Sequence, residues 1–252
     1  MSLEACAERV RRADPERFAA LMAAPPADRP ALAVLYALNA ELARAPWVSA
    51  EPMLAEMRLQ WWRDVIAAET TGPAVPHEVA TPLGALIRSR ALPSAVLDGM
   101  VTARIWDVWR APHADEAALW AYLDATGGGL MWLAAHVLGT EPAQESAARA
   151  VGQALGLANY LRAVPQLESR GRIPLPDPRP EAVAALAHAG LTRLEVARGQ
   201  PLPKGALLAA HLARPVLLLV ARAPERVAAG TLILPEFTKR WRLLWQGLTG
   251  RL

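Results

Sequence analysis

GQALGLANYLRAVPQLESRGRIPLP, residues 152–176, is a run of small and aliphatic residues that ends in a proline-marked, arginine-containing loop. Leu155, Asn159 and Arg162 recur at spacings of four and three, so on a helix an amide and a guanidinium share a stripe with leucine. Leaving either group buried and unpaired costs kilocalories, so each must face a cavity or a polar partner. Satisfaction by neighbouring backbone carbonyls and satisfaction by a ligand are both open readings.

Before this helix, residues 2–22 carry apolar residues at helical spacing, and Ala24-Pro25-Pro26 ends the run. Asp28 is placed to cap the next helix, with Pro30 in its first turn and Pro46 as its stop. On that second helix Leu32, Leu35 or Tyr36, Asn39 and Leu42 share a stripe that turns Asn39 inward, while Glu41 lies on a neighbouring one with Val34, Ala37 and Leu38. Over residues 51–69, Leu54, Arg58, Trp61 or Trp62 and Val65 follow one face, so Arg58 points inward. Two readings of Arg58 stand: a structural ion pair with an internal acid such as Glu41, stacked on tryptophan, or an anion-binding group in a cavity.

Residues 72–76 read as a loop. Residues 80–90 and 94–110 read as helices, and neither shows an obvious reactive group. A long apolar helix over residues 116–138 contains Thr126-Gly127-Gly128-Gly129. Each mid-helix glycine costs about 1 kcal/mol against alanine, so close helix packing or room for a ligand must compensate. No strand precedes these glycines, which excludes a dinucleotide-binding loop. Further helices are expected over residues 181–197, 206–222 and 235–248. The most apolar run, residues 207–221, is interrupted by His211, Arg214 and Pro215 and reads as a buried helix, too short for the roughly 20 residues of a membrane span. No segment alternates as a strand does. The expectation is an all-α chain of about ten helices forming one domain over residues 1–252.

Composition narrows the chemistry. A net charge of +3, with basic residues interspersed among acidic ones, gives no footprint for nucleic acid. Cys6 alone excludes an intrachain disulfide or a cysteine-rich zinc site. His77, His113, His136, His188 and His211 fall in separate segments without metal-ligand spacing. The N-terminus mixes acids with arginines and lacks the apolar core of a signal peptide, so a cytoplasmic location is expected.

Asn159, Arg162, Gly171, Arg172, Leu175 and Pro176 fall without a gap on a pattern that resembles the second signature of the squalene/phytoene synthase family, N-x-x-R-D-x-x-x-D followed by G-R and L-P. Leu35-Tyr36-Ala37 likewise resembles the run that precedes the family's first aspartate cluster. In those synthases the aspartates hold magnesium against a prenyl diphosphate. Here their positions carry Ala43, Arg44 and Trp47 in the first motif, and Ala163 and Leu167 in the second. Alanine and leucine offer a hard cation nothing. Residues 37–43, 58–62 and 161–165 look like the branch that contains a mitochondrial respiratory complex I assembly factor.

The resemblance implies an isoprenoid-synthase-like helical bundle around a central cavity, lined by Asn39, Glu41, Arg58, Asn159, Arg162 and Arg172. It also implies loss of magnesium and of prenyl-transfer chemistry, with no catalytic residues in their place. The partners it implies are protein subunits of a membrane respiratory complex, with an isoprenoid or lipid ligand as a further option. The location would then be peripheral to the inner membrane, in the mitochondrial matrix if the source is eukaryotic. A working head-to-head prenyltransferase and a lipid carrier are the alternatives. In residues 237–248, Trp241, Leu244, Trp245 and Leu248 share one face beside Lys239, Arg240 and Arg242. That face either docks into the bundle or meets an anionic lipid surface.

Overall fold

The computed structural model describes residues 3–49, 51–71 and 76–250. Among the described residues there is no strand, and fourteen α-helical segments follow one another. They are α1 (Leu3–Ala13), α2 (Pro15–Ala23), α3 (Arg29–Arg44), α4 (Pro52–Thr71), α5 (Ala80–Arg90), α6 (Ser94–Trp109), α7 (Glu116–Leu123) and α8 (Gly129–Val137). After these come α9 (Glu145–Glu168), α10 (Pro180–Val196), α11 (Lys204–Leu207), α12 (Ala213–Arg222), α13 (Glu225–Ala228) and α14 (Glu236–Thr249). The expected loop at residues 72–76 lies, except for Pro76, outside the described residues.

The expected count of ten was low because local chemistry breaks three of the longer runs and because α13 forms where no helix was expected. Residues 2–22 are two helices, since Pro15 disfavours a helical Asp14, whose carboxylate instead caps α2 by accepting from the Arg17 amide at 2.9 Å. Residues 116–138 are interrupted by a π-helical turn over Asp124–Gly128, which ends in two of the chain's most permissive residues, Gly127 and Gly128. The apolar run near residues 206–222 is α11, a 3₁₀ turn over Leu208–Ala210, and α12. Lys204–Arg222 is long and apolar enough by composition to cross a membrane, contrary to the expectation from residues 207–221, yet 67% of its most apolar 18-residue stretch is buried within the fold. Asp28 stands at the start of α3 without making a side-chain cap bond.

The helix over residues 145–168 is the centre of the bundle. α9 buries Ala148, Val151, Ala154, Leu157, Ala158 and Leu161, and packs against α7, α8, α10, α12, α13 and the π turn. Its small residues set how closely the backbones approach. A Cβ on Gly152 would lie 2.2 Å from the Gly127 carbonyl oxygen, and one on Gly127 would lie 2.4 Å from the Gly152 carbonyl oxygen. Close packing therefore repays the glycine run, as one of the two readings required. A polar strut fixes the same junction: Arg193 Nε donates to Gln153 at 2.7 Å, and Gln153 and Arg149 both donate to Asp124, at 2.8 and 3.1 Å.

On α4 the buried stripe is Ala55, Leu59, Trp62, Val65 and Ile66. That is one position round from the expected stripe, and Leu54 is exposed together with Met53, Met57 and Trp61. Trp62 is the tryptophan that enters the core, and Arg58 sits at the edge of the buried face rather than in it.

Candidate functional site

Two adjoining cavities open between α1, α3, α6, α9 and the π turn. The outer one, about 760 Å³, is lined by α1 and α3, and the inner one, about 260 Å³, by α3, α6, α8, α9 and the π turn. Asp14, Arg17, Tyr36 and Asn39 belong to both. Arg17 stacks over the Tyr36 ring at 5.0 Å, and burial pushes the Tyr36 hydroxyl up to about 12.

The outer cavity is a field of paired charges. Glu41, 1% exposed, accepts from Arg9 on one oxygen and from Arg58 Nη2 at 3.1 Å on the other. Glu8 accepts from Arg11 at 2.7 Å and Arg12 at 2.6 Å, Asp14 from Arg17, and Glu78 lies 3.6 Å from Arg9. Every carboxylate lining this cavity is thus already engaged by a guanidinium. Ala43 and Arg44 line it too. Among the described residues, no three His, Cys, Asp or Glu side chains are grouped to hold a metal. A magnesium ion needs free carboxylate oxygens, and a donor set neutralised by arginine does not fit one.

In the inner cavity Asn39 of α3 and Asn159 of α9 line the same space. Among the described residues neither side-chain amide has a protein hydrogen-bond partner, so their donors and acceptors remain open to whatever fills it. Behind them stands a network that the sequence reading missed when it found nothing reactive on α6. Arg104 donates to Asp107 at 3.0 Å and to the Tyr122 hydroxyl at 2.7 Å, and Tyr122 donates to Asp107 at 2.9 Å. Burial drives the Tyr122 and Tyr160 hydroxyls well above their ordinary value, so both are neutral donors. Tyr160 gives its proton to the Pro174 carbonyl at 2.8 Å and lies 3.2 Å from His113 Nε2.

The expected six residues do not form one cluster. Asn39 and Asn159 meet at the inner cavity, and Glu41 pairs with Arg58 at the outer one, which is the structural ion pair of the two readings. Arg162 is turned away from both cavities and makes a two-pronged pair with Glu16 of α2, at 2.7 and 3.0 Å. Arg172 is withdrawn beneath the inner network, where it bonds Asp107 and stacks over Trp47 at 4.5 Å. Arg162 lies on the expected stripe of α9 and Arg172 in the loop that follows it, where the resemblance put it; long-range acids that spacing could not reveal claimed both. Arg9 had a readable signal: it falls one turn from Cys6 on the buried stripe of α1, the same logic that singled out Arg58.

Glu16 also accepts from Lys239 of α14 at 3.0 Å, so it ties three helices together. Burial opposes its charge, but the Arg162 and Lys239 hydrogen bonds outweigh burial and hold the carboxyl below its ordinary 4.5. Its folded value is depressed, so the stability it contributes is complete above pH 4.5 and is lost as pH falls through the lower folded value. Urea titrations across that range should show the gap between wild type and Glu16→Gln, full at neutral pH, closing in acid. A gap independent of pH would show that the carboxylate charge is not what Glu16 supplies.

Solved structures share this architecture. A dehydrosqualene synthase in complex with ligand superposes with a TM-score of 0.78 at 15% identity, over 96% of this chain and 94% of that one. The squalene synthase HpnC from Alicyclobacillus acidocaldarius gives 0.75 at 15% identity, over 90% and 94%. The fold is therefore the all-α isoprenoid-synthase-like bundle, with its cavity in the middle. The squalene/phytoene synthase family model matches residues 10–246, and the chain belongs to that family. A curated relative from Bos taurus, NADH dehydrogenase (ubiquinone) complex I, assembly factor 6, is 28% identical over 173 residues, 68% of this chain and 52% of that protein. The chain spans about half the length of the curated relatives it matches.

Proposed function

We propose that this protein is a non-catalytic member of the family, one domain over residues 1–252, that serves in assembling a respiratory membrane complex of the complex I type. The observation that carries this reading is the arginine-neutralised outer cavity: Glu41 is held between Arg9 and Arg58, with Ala43 and Arg44 beside it. Ionising an allylic diphosphate needs cations placed on the departing pyrophosphate, and in this family's resemblance that work falls to bridging metal. With its carboxylates consumed in ion pairs, the cavity offers no second way to gather those metals. The likeness to complex I assembly factor 6 supports the assembly role from an independent side. The apolar lining of the inner cavity by Leu123, Leu130, Met131, Ala134 and Leu155, beside the open amides of Asn39 and Asn159, favours a retained lipid-like ligand with a polar group that binds without reacting.

Incubation with farnesyl or geranylgeranyl diphosphate and magnesium should release no pyrophosphate above a heat-killed control. In the source cell, deleting the gene should lower the amount of assembled NADH dehydrogenase on native gels. Magnesium-dependent release, with assembly of the complex unchanged, would replace this reading with that of a working prenyltransferase.

A further inference from the structure

The last helix is mounted with its apolar face outward. Its docking contacts are polar: Gln246, 4% exposed, donates to the Leu207 carbonyl at 2.7 Å, and Lys239 pairs with Glu16 at 3.0 Å, while Leu243 packs at the edge of the core. At 100° per residue these three occupy one side of α14. The other side carries Phe237, Trp241, Leu244, Trp245 and Leu248 within an arc of about 100°. Their exposures are 77, 52, 55, 47 and 74%. The three aromatic rings form a ladder, with centroids 6.4 Å apart at 10° between Phe237 and Trp241, and 6.3 Å apart at 25° between Trp241 and Trp245. Arg240 flanks this arc on one edge and Arg242 on the other, and among the described residues neither has a carboxylate partner.

A helix that used its tryptophans to join the bundle would turn them inward, and here the polar anchors fix the opposite orientation. We infer that α14 is a docking helix for an anionic lipid bilayer, which it meets with the Phe237, Trp241, Trp245 ladder in the headgroup boundary and Arg240 and Arg242 on lipid phosphates. Stacked amphipathic rings between unpaired guanidinium groups match the chemistry of that boundary, where aromatic residues settle and cations meet negative surface charge. The inference goes beyond the assembly reading and depends on no protein partner.

Sedimentation of the full chain with vesicles tests it, using phosphatidylcholine mixed with phosphatidylglycerol against phosphatidylcholine alone. The expected result is binding that requires the anionic lipid and weakens as salt is raised. Arg240→Glu with Arg242→Glu should lower the affinity at least roughly tenfold. Trp241→Ser with Trp245→Ser should abolish binding while leaving the helical circular dichroism unchanged, and Met57→Ser, on the exposed side of α4, should bind as wild type does. Protein that stays in the supernatant, or binding untouched by either double substitution, overturns the proposal. So does a lipid-independent dimer in light scattering that the tryptophan double substitution dissolves, which would assign the face to a second copy of this chain.

Discussion

Gly152→Ala is expected to be the most damaging single methyl that can be added to this protein. The new Cβ would meet the Gly127 carbonyl oxygen at 2.2 Å and the Gly128 Cα at 2.7 Å, and backbone atoms cannot swing aside as a side chain does. Alanine is the better helix former by about 0.5–1 kcal/mol, a gain that overpacking reverses. With the collision at backbone on both sides, the net loss should reach about 3 kcal/mol, a fall in melting temperature of roughly 6–12 °C for a chain of this size. Gly156→Ala is the control, because its Cβ would meet the Leu123 side chain at an ordinary 3.4 Å. Thermal unfolding of the two variants should separate them clearly. Equal melting temperatures would mean that α9 and the π turn are not in the contact described.

The second large effect is expected at Glu41. Removing its carboxylate leaves Arg58 without its acid and Arg9 with only Glu78 at 3.6 Å, and Arg9 Nε is already buried without a partner. Breaking fully buried pairs costs about 3–5 kcal/mol; because Arg9 and Arg58 still reach solvent, Glu41→Ala should cost about 2–3 kcal/mol. Arg9→Met combined with Glu41→Met should recover much of that, since an apolar pair of similar volume replaces charge and partner together. Urea denaturation of the single and double variants measures the coupling. Additive losses would show that the two groups act independently.

Much of the fold was legible because its punctuation is chemical. Pro93 separates α5 from α6, and the expected ranges for those two helices agree with the structure to within a residue. That Ala43, Arg44, Trp47, Ala163 and Leu167 carry no carboxylate was likewise plain in the sequence. Less legible was anything decided by a neighbour far along the chain. The stripe on α4 was read one position off because Trp61 and Trp62 fit two faces equally, and only packing chose Trp62. Arg162 and Arg172 showed that they need partners but not which, and Glu16 and Asp107 lie 146 and 65 residues away. The outward face of α14 was left undecided because periodicity reports that a helix has two sides, not which one its host accepts.

Cys6 gives the molecule a clock. It is the chain's single cysteine and is 0% exposed, its Sγ lies 3.6 Å from the Glu78 carbonyl oxygen, and burial pushes its thiol up to about 11. At neutral pH almost none of it is thiolate, so an alkylating reagent reacts only when α1 lifts and water reaches the sulfur. The same helix carries Arg9 and walls the outer cavity. The rate at which a thiol reagent consumes Cys6 therefore times the opening of that wall, and a molecule seated beneath α1 would slow it.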